Sequence, residues 1–180
     1  SPPFDHCSVI GRVRFVVMDC RLDRSGQYAV DDATKSMLGA PQKARWKAQI
    51  DAAAAAGQAG WLISTGPWTG NGWGAYATEV YELSNYIKSK GMGNKRVFVI
   101  AGDMHAMALA ESADYADGGG AQMPVFQVGA MHSRFTSIKR NGYSLGPFGK
   151  NGVQTADSNT STNYGLMHVL DDGTNLQTAD

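Results

Sequence analysis

The segment Gly102–Ala106 contains the residues best suited to bind a metal ion. Asp103 and His105 directly follow the apolar run Arg96–Ala101, whose β-branched and aromatic residues predict a strand. In extended backbone, residues i and i+2 point to the same side. A carboxylate oxygen and an imidazole nitrogen would therefore converge on one point, which suits a divalent cation. In the alternative interpretation, Asp103 caps a turn and His105 is an ordinary loop residue.

A second group of polar residues, Asp19, Arg21 and Arg24, follows another predicted strand, Arg12–Met18. Two guanidinium groups at a strand end suit a phosphate or carboxylate ligand, because the planar fork binds such oxygens bidentately. In the alternative interpretation, which the local pattern favours, these arginines bind no ligand and form salt bridges to Asp19 or Asp23.

Aromatic residues also occur in a glycine-rich loop, Gly66–Gly74. Trp68 could form one wall of a substrate pocket there, although loop tryptophans more often pack against the core.

Motifs of other enzyme classes are missing from the sequence: it has neither a Gly-x-Ser-x-Gly elbow nor a phosphate-binding P-loop. A small α/β enzyme of a different class, which uses Asp19 or His132, is a separate hypothesis. It predicts an activity that does not respond to chelators.

The elements that must position these residues alternate between strand and helix. We predict the four strands Arg12–Met18, Trp61–Ser64, Arg96–Ala101 and Pro124–Val128, and a last strand, Tyr164–Leu170, before a turn at Asp171–Gly173. We predict the helices Gln42–Ala56, with Pro41 at the first helical position, and Glu79–Lys90, capped by Thr78. This alternation predicts an α/β fold, in which ligands bind at the carboxyl ends of the strands.

The overall composition excludes several classes of protein. The chain of 180 residues is 43% hydrophobic, which suits one globular domain over residues 1–180 with a loop-rich tail from about 141. The net charge is zero, so a dedicated nucleic-acid-binding surface is not expected. No apolar run is long enough to span a membrane. Cys7 and Cys20 do not form a disulfide framework, although a single bridge is possible.

Taken in order, the motifs resemble the C-terminal part of the PhoD-like alkaline phosphatase/phosphodiesterase family, within the calcineurin-like metallophosphoesterases. The resemblance covers nearly the whole chain and rests on the order of the motifs. They are Asp19-x-Arg21-x-x-Arg24, Leu38-Gly39, Gln42-x-x-x-Trp46, Ser64-Thr65-Gly66-Pro67-Trp68, Trp73-Gly74-x-Tyr76, Gly102-Asp103-x-His105-Ala106, Tyr143-Ser144-Leu145-Gly146-Pro147 and Asn163-Tyr164-Gly165-Leu166.

The resemblance implies a helix-flanked β-sandwich of the metallophosphoesterase type that hydrolyses phosphate mono- or diesters. It implies that Asp103 and His105 are metal ligands, that calcium and iron are the cofactors, and that the protein is extracellular or periplasmic. Arg21, Arg24 and Trp68 are candidates for substrate binding.

The sequence departs from the family pattern in one respect. The ligand segments of the family's first half, of the Gly-Asp-x-x-Tyr and Gly-Asn-His types, have no counterpart here. We therefore expect catalysis only together with an N-terminal half of the same protein, which would also cover an apolar sheet face left exposed here. The alternative is a non-catalytic half-fold that binds phosphate or another anion.

Overall fold

The computed structural model describes residues 3–68, 72–93, 96–103, 108–110, 121, 123–127, 167–174 and 176–179. The strands are β1 (His6–Ile10), β2 (Val13–Met18), β3 (Ala59–Ser64), β4 (Val97–Ala101), β5 (Ala108–Ala110), β6 (Val125–Gln127), β7 (His168–Asp171) and β8 (Leu176–Ala179). The helices are α1 (Gly39–Ala55) and α2 (Ala77–Ser89), and a 3-10 helix, Trp73–Tyr76, leads directly into α2.

Six of these strands form one mixed sheet in the order β1-β2-β3-β4-β6-β5. The four central strands are parallel, whereas β1 and β5 pair antiparallel at the two edges. The strands β7 and β8 form a separate antiparallel hairpin around the predicted Asp171–Gly173 turn. The α/β class predicted from the sequence is thus confirmed.

Both helices pack on the same face of the sheet. The chain crosses from β2 to β3 through α1 and from β3 to β4 through α2, moving in one direction, and right-handed crossovers then place both helices on one side. Val16, Leu62 and Val99 are register partners on this face. They share one core with the helix positions predicted to be buried, which are Trp46, Ile50, Ala53, Val80, Leu83 and Ile87.

The opposite face of the sheet carries a smaller aromatic cluster. Trp61 and Phe98 are buried there, and the ring of Phe15 meets Trp61 edge-on at 5.2 Å between centroids. Val169 of the β7–β8 hairpin packs against this cluster. Arg12 holds the hairpin in place, because its Nη1 donates to Asp171 Oδ1 at 2.9 Å.

The structure corrects several details of the prediction. The residue that caps α2 is Tyr76, not Thr78, and its side chain makes no capping hydrogen bond. The Asp31 carboxylate instead accepts the Thr78 backbone N–H, at 3.2 and 3.4 Å, which satisfies a donor in the first turn. Pro41 is the third helical residue of α1, not the first.

Two further points could not be decided from the local sequence, because they depend on contacts between distant residues. Strand β1 was not predicted, since its sequence, HCSVI, is short and largely exposed at the sheet edge. Cys7 and Cys20 are both free thiols, so they form no bridge. Among the described residues, no helix is long and apolar enough to cross a membrane.

Candidate active site at the strand ends

The candidate site forms because three neighbouring parallel strands end level with one another. Met18 is the register partner of Ser64, and Ser64 is the partner of Ala101. The residues that follow these three positions therefore leave the sheet at a single edge. This edge is the carboxyl edge, where open α/β sheets bind their ligands.

Arg21 and Asp103 meet at this edge, although they are 82 residues apart in sequence. Arg21 Nη2 donates to Asp103 Oδ2 at 3.1 Å, and the side chains are 61% and 51% exposed. Asp103 thus pairs with an arginine from the predicted anion-binding group. The alternative interpretation, in which Arg21 pairs with Asp19 or Asp23, is wrong for this residue.

A tight turn after β2 presents Arg21. The Asp19 carboxylate accepts two backbone N–H groups through Oδ1, from Arg21 at 2.9 Å and from Leu22 at 3.3 Å. An Asp side chain that bonds the backbone two residues later forms an Asx turn. The backbone N–H of Asp19 donates to Gln42 Oε1 at 2.8 Å, which ties the turn to α1. Asp19 therefore shapes the loop that carries Arg21.

Asp103 has an unusual backbone conformation, with a φ of 66°. Asp tolerates this left-handed region better than most residues, but only glycine adopts it without steric cost. The backbone of the preceding residue, Gly102, is hydrogen-bonded to both strands that flank β4. Gly102 N–H donates to Ser64 O at 3.3 Å, and Gln127 Nε2 donates to Gly102 O at 2.8 Å. Strained positions of this kind cluster at functional sites.

The strain at Asp103 gives a first prediction. Asp103→Gly relieves the positive φ, whereas Asp103→Ala retains it, so the glycine variant should be more stable by about 1 kcal/mol. Both variants lose the same exposed ion pair, which contributes only about 0–1 kcal/mol. Urea unfolding of the two proteins measures the difference. An alanine variant more stable than the glycine variant by about 0.4–1 kcal/mol, the usual advantage of alanine at an unstrained position, would show that the site stores no backbone strain.

Ser64 organises the middle of the site. Its hydroxyl donates to Gly66 O at 2.6 Å and accepts the indole N–H of Trp73 at 3.0 Å. The thiol of Cys20 lies 3.5 Å from the same oxygen. The buried Ser64 side chain thus contacts Cys20 after β2, Gly66 after β3 and Trp73 at the start of the 3-10 helix. These contacts fix the loop after β3 relative to the loop after β2.

The other predicted site residues have different positions. Trp68 is only 1% exposed and lies against Trp73, with 4.8 Å between ring centroids, so its side chain contributes to the core. Arg24 is exposed and has no hydrogen bond or ion pair within the described part of the chain. His105 and His132 lie outside the described residues. The roles of Trp68, Arg24 and His105 in binding remain predictions.

A groove of about 500 Å³ opens beside Arg21. It is lined by Phe4, Val17, Met18, Asp19, Arg21, Leu22 and Thr65. Sequence reasoning missed Phe4, Leu22 and Thr65, because nothing in their local pattern indicates that they meet. Only the level strand ends, together with the pairing of β1 beside β2, bring these residues to one place.

The described residues fit a metal ion only in part. The exposed carboxylate of Asp103 is a hard oxygen donor, of the type that calcium and ferric iron accept. Within the described ranges, no three His, Cys, Asp or Glu side chains are grouped as a metal centre requires. Asp103 is therefore one suitable ligand, and further ligands must come from other residues.

Comparisons with known proteins support a relationship at the level of the fold. No protein-family model and no curated protein matches the sequence. A solved structure described as "Structure of PhoD" is similar to this chain, with a TM-score of 0.58 and 16% sequence identity. The likeness is one of fold. It covers 72% of this chain and 29% of that chain, so our chain spans less than a third of the PhoD length.

Proposed function

We propose that this chain is the C-terminal part of a metal-dependent phosphoesterase, which hydrolyses phosphate mono- or diesters together with an N-terminal half. The observation that carries the proposal is the meeting of Arg21 and Asp103 at the carboxyl edge of a sheet whose fold is similar to part of PhoD. An anion-binding group and a metal-ligand type are then adjacent, as phosphate-ester chemistry requires.

In this proposal Asp103 and His105 hold the metal, for which calcium and iron are our candidates. The bound metal would polarise a phosphoryl oxygen and lower the pKa of a water molecule. Asp103 has one oxygen, Oδ2, directed to Arg21. Its other oxygen, Oδ1, is thus the donor available to the cation.

Arg21 binds the substrate in this proposal. Its guanidinium group spends one N–H on Asp103 and keeps its other donors, and it is 61% exposed. A planar fork of this kind can hold two non-bridging phosphoryl oxygens. The Asp103 carboxylate limits the rotation of the fork, so the phosphate is held beside the proposed metal ligand and its negative charge is compensated during reaction.

The N-terminal half would contribute the remaining ligands and the second layer of the fold. The sheet face opposite the helices supports this proposal, because Phe15, Ile63 and Ile100 are apolar and only partly buried there. A second sheet over this face would produce the sandwich of the metallophosphoesterases. An extracellular or periplasmic location belongs to the same proposal.

Hydrolysis of chromogenic esters tests the proposal. We would assay 4-nitrophenyl phosphate and bis(4-nitrophenyl) phosphate with the 180-residue chain and with a longer protein that contains it, in calcium and iron and after chelation. We expect activity in the longer protein, lost on chelation and restored by metal. Chelator-resistant activity would overturn the metal-dependent mechanism and favour an enzyme of another class.

The second candidate is a non-catalytic half-fold that binds phosphate. It is favoured by the open donors of Arg21, together with the lack of a group of three potential metal ligands among the described residues. It predicts phosphate binding by calorimetry and no hydrolysis in either protein, even in saturating metal. Activity in the longer protein would exclude it.

A further inference from the structure

We infer that the groove beside Arg21 is an apolar subsite, which selects phosphate esters that carry an apolar organic group. The inference rests on the proposed function, because Arg21 must hold the phosphate for the organic group to reach the groove. It adds a substrate class and assigns specificity to Phe4 and Leu22, two residues that play no part in the chemistry proposed above.

The groove is lined by both polar and apolar residues. Arg21, Asp19 and Thr65 are its polar lining residues. Asp19 directs Oδ1 to two backbone N–H groups, so part of its charge is compensated. The Thr65 hydroxyl accepts the Cys20 N–H at 3.4 Å and has its own proton to donate. An anion bound here would meet the guanidinium group and a hydroxyl.

Phe4 and Leu22 are the most exposed of its apolar lining residues, at 70% and 61%. Exposed apolar side chains that flank a concave surface next to a charged group are typical of ligand pockets. The volume of about 500 Å³ also lies in the range of small-molecule sites. In this proposal, an apolar group attached to the bound phosphate contacts these side chains.

Hydrogen bonds of neighbouring residues position the backbone that carries both apolar side chains. Leu22 belongs to the Asx turn of Asp19. Phe4 precedes Asp5, whose two carboxylate oxygens accept from Nε and Nη2 of Arg45 on α1. This bidentate pair lowers the pKa of Asp5, chiefly through the hydrogen bonds from Arg45. The Asp5–Arg45 contact therefore anchors the segment that carries Phe4 beside the groove.

Binding of two phosphonates with the same charge tests the inference. Phenylphosphonate and methylphosphonate cannot be hydrolysed at the carbon–phosphorus bond and differ only in the organic group. By calorimetry, we expect the phenyl compound to bind at least about tenfold more tightly to the wild-type chain. Leu22→Ser and Phe4→Ser should each reduce this ratio toward one, because the ring loses its apolar contact.

Leu170→Ser is the matched control, since Leu170 is 57% exposed on the separate β7–β8 hairpin. It should leave the ratio unchanged. Arg21→Gln should weaken both phosphonates, which tests the anion site independently of the subsite.

The outcomes separate the two proposals. Equal affinities for the two phosphonates, both lowered by Arg21→Gln, would refute the apolar subsite and leave the anion site intact. Affinities that do not respond to Arg21→Gln would refute the anion site. If neither compound binds, both are refuted for this chain.

Discussion

Replacing Asp103 by asparagine is expected to lower kcat/KM for bis(4-nitrophenyl) phosphate by about 100-fold or more, in the longer protein with metal present. Asparagine keeps the shape of the side chain and tolerates the positive φ of this position, so the fold should persist. It removes the negative charge that attracts Arg21 and, in the proposed function, the cation. The loss then reports on the carboxylate itself.

The matched control is Asp171→Asn. Asp171 also pairs with an arginine, Arg12, at 2.9 Å, but near the opposite end of β2. We expect this variant to keep its activity and its metal content. Metal analysis should show a reduced stoichiometry for Asp103→Asn alone. Unchanged metal content and unchanged kcat/KM in Asp103→Asn would show that the ligand assignment is wrong.

The largest expected effect on stability comes from Glu79→Gln, which should cost about 3 kcal/mol of unfolding free energy. Glu79 on α2 is 1% exposed, and its carboxylate accepts the Ser36 hydroxyl at 2.6 Å and the Met37 backbone N–H. Lys43 Nζ on α1 lies 3.2 Å away. An amide would direct an NH2 group at one of these donors and leave the lysine with less compensation.

Glu82→Gln is the control for this prediction, because Glu82 binds the same lysine from an exposed position. Its carboxylate accepts from Lys43 at 2.8 Å and from Lys47 at 2.6 Å, and its side chain is 41% exposed. Burial alone would lower the pKa of Lys43, but the hydrogen bond to Glu82 and the charge of Glu79 raise it. We expect Glu82→Gln to cost no more than about 1 kcal/mol. Equal losses in urea unfolding would show that the buried position of Glu79 adds nothing to the contribution of its charge.

The elements of this fold could be predicted because their signals are local. The spacing of Trp46, Ile50 and Ala53 gives the buried face of α1, and the apolar run before Gly102 gives β4. The edge strand β1 lacks such a signal. It forms because its backbone pairs with β2, and its side chains remain largely exposed.

The individual residues of the site could be predicted from the sequence, but the contact between Arg21 and Asp103 could not. Asp103 and Arg21 each stood out because polar residues followed an apolar strand. Their contact depends on β2, β3 and β4 ending at register partners, which no local pattern encodes. For Trp68 the sequence left two interpretations open, a pocket wall and core packing. A glycine-rich loop suggests exposure, yet the indole of Trp68 packs against Trp73.

The separation of Arg21 and Asp103 along the chain has a consequence for folding. Two crossovers must close before the two side chains can meet, and such long-range closures carry the entropy cost that slows folding. Unless this contact forms early, an anion bound there stabilises the native state and not the transition state. Phosphate should then slow unfolding and leave the rate of refolding almost unchanged, so the rate of unfolding itself becomes a measure of ligand binding.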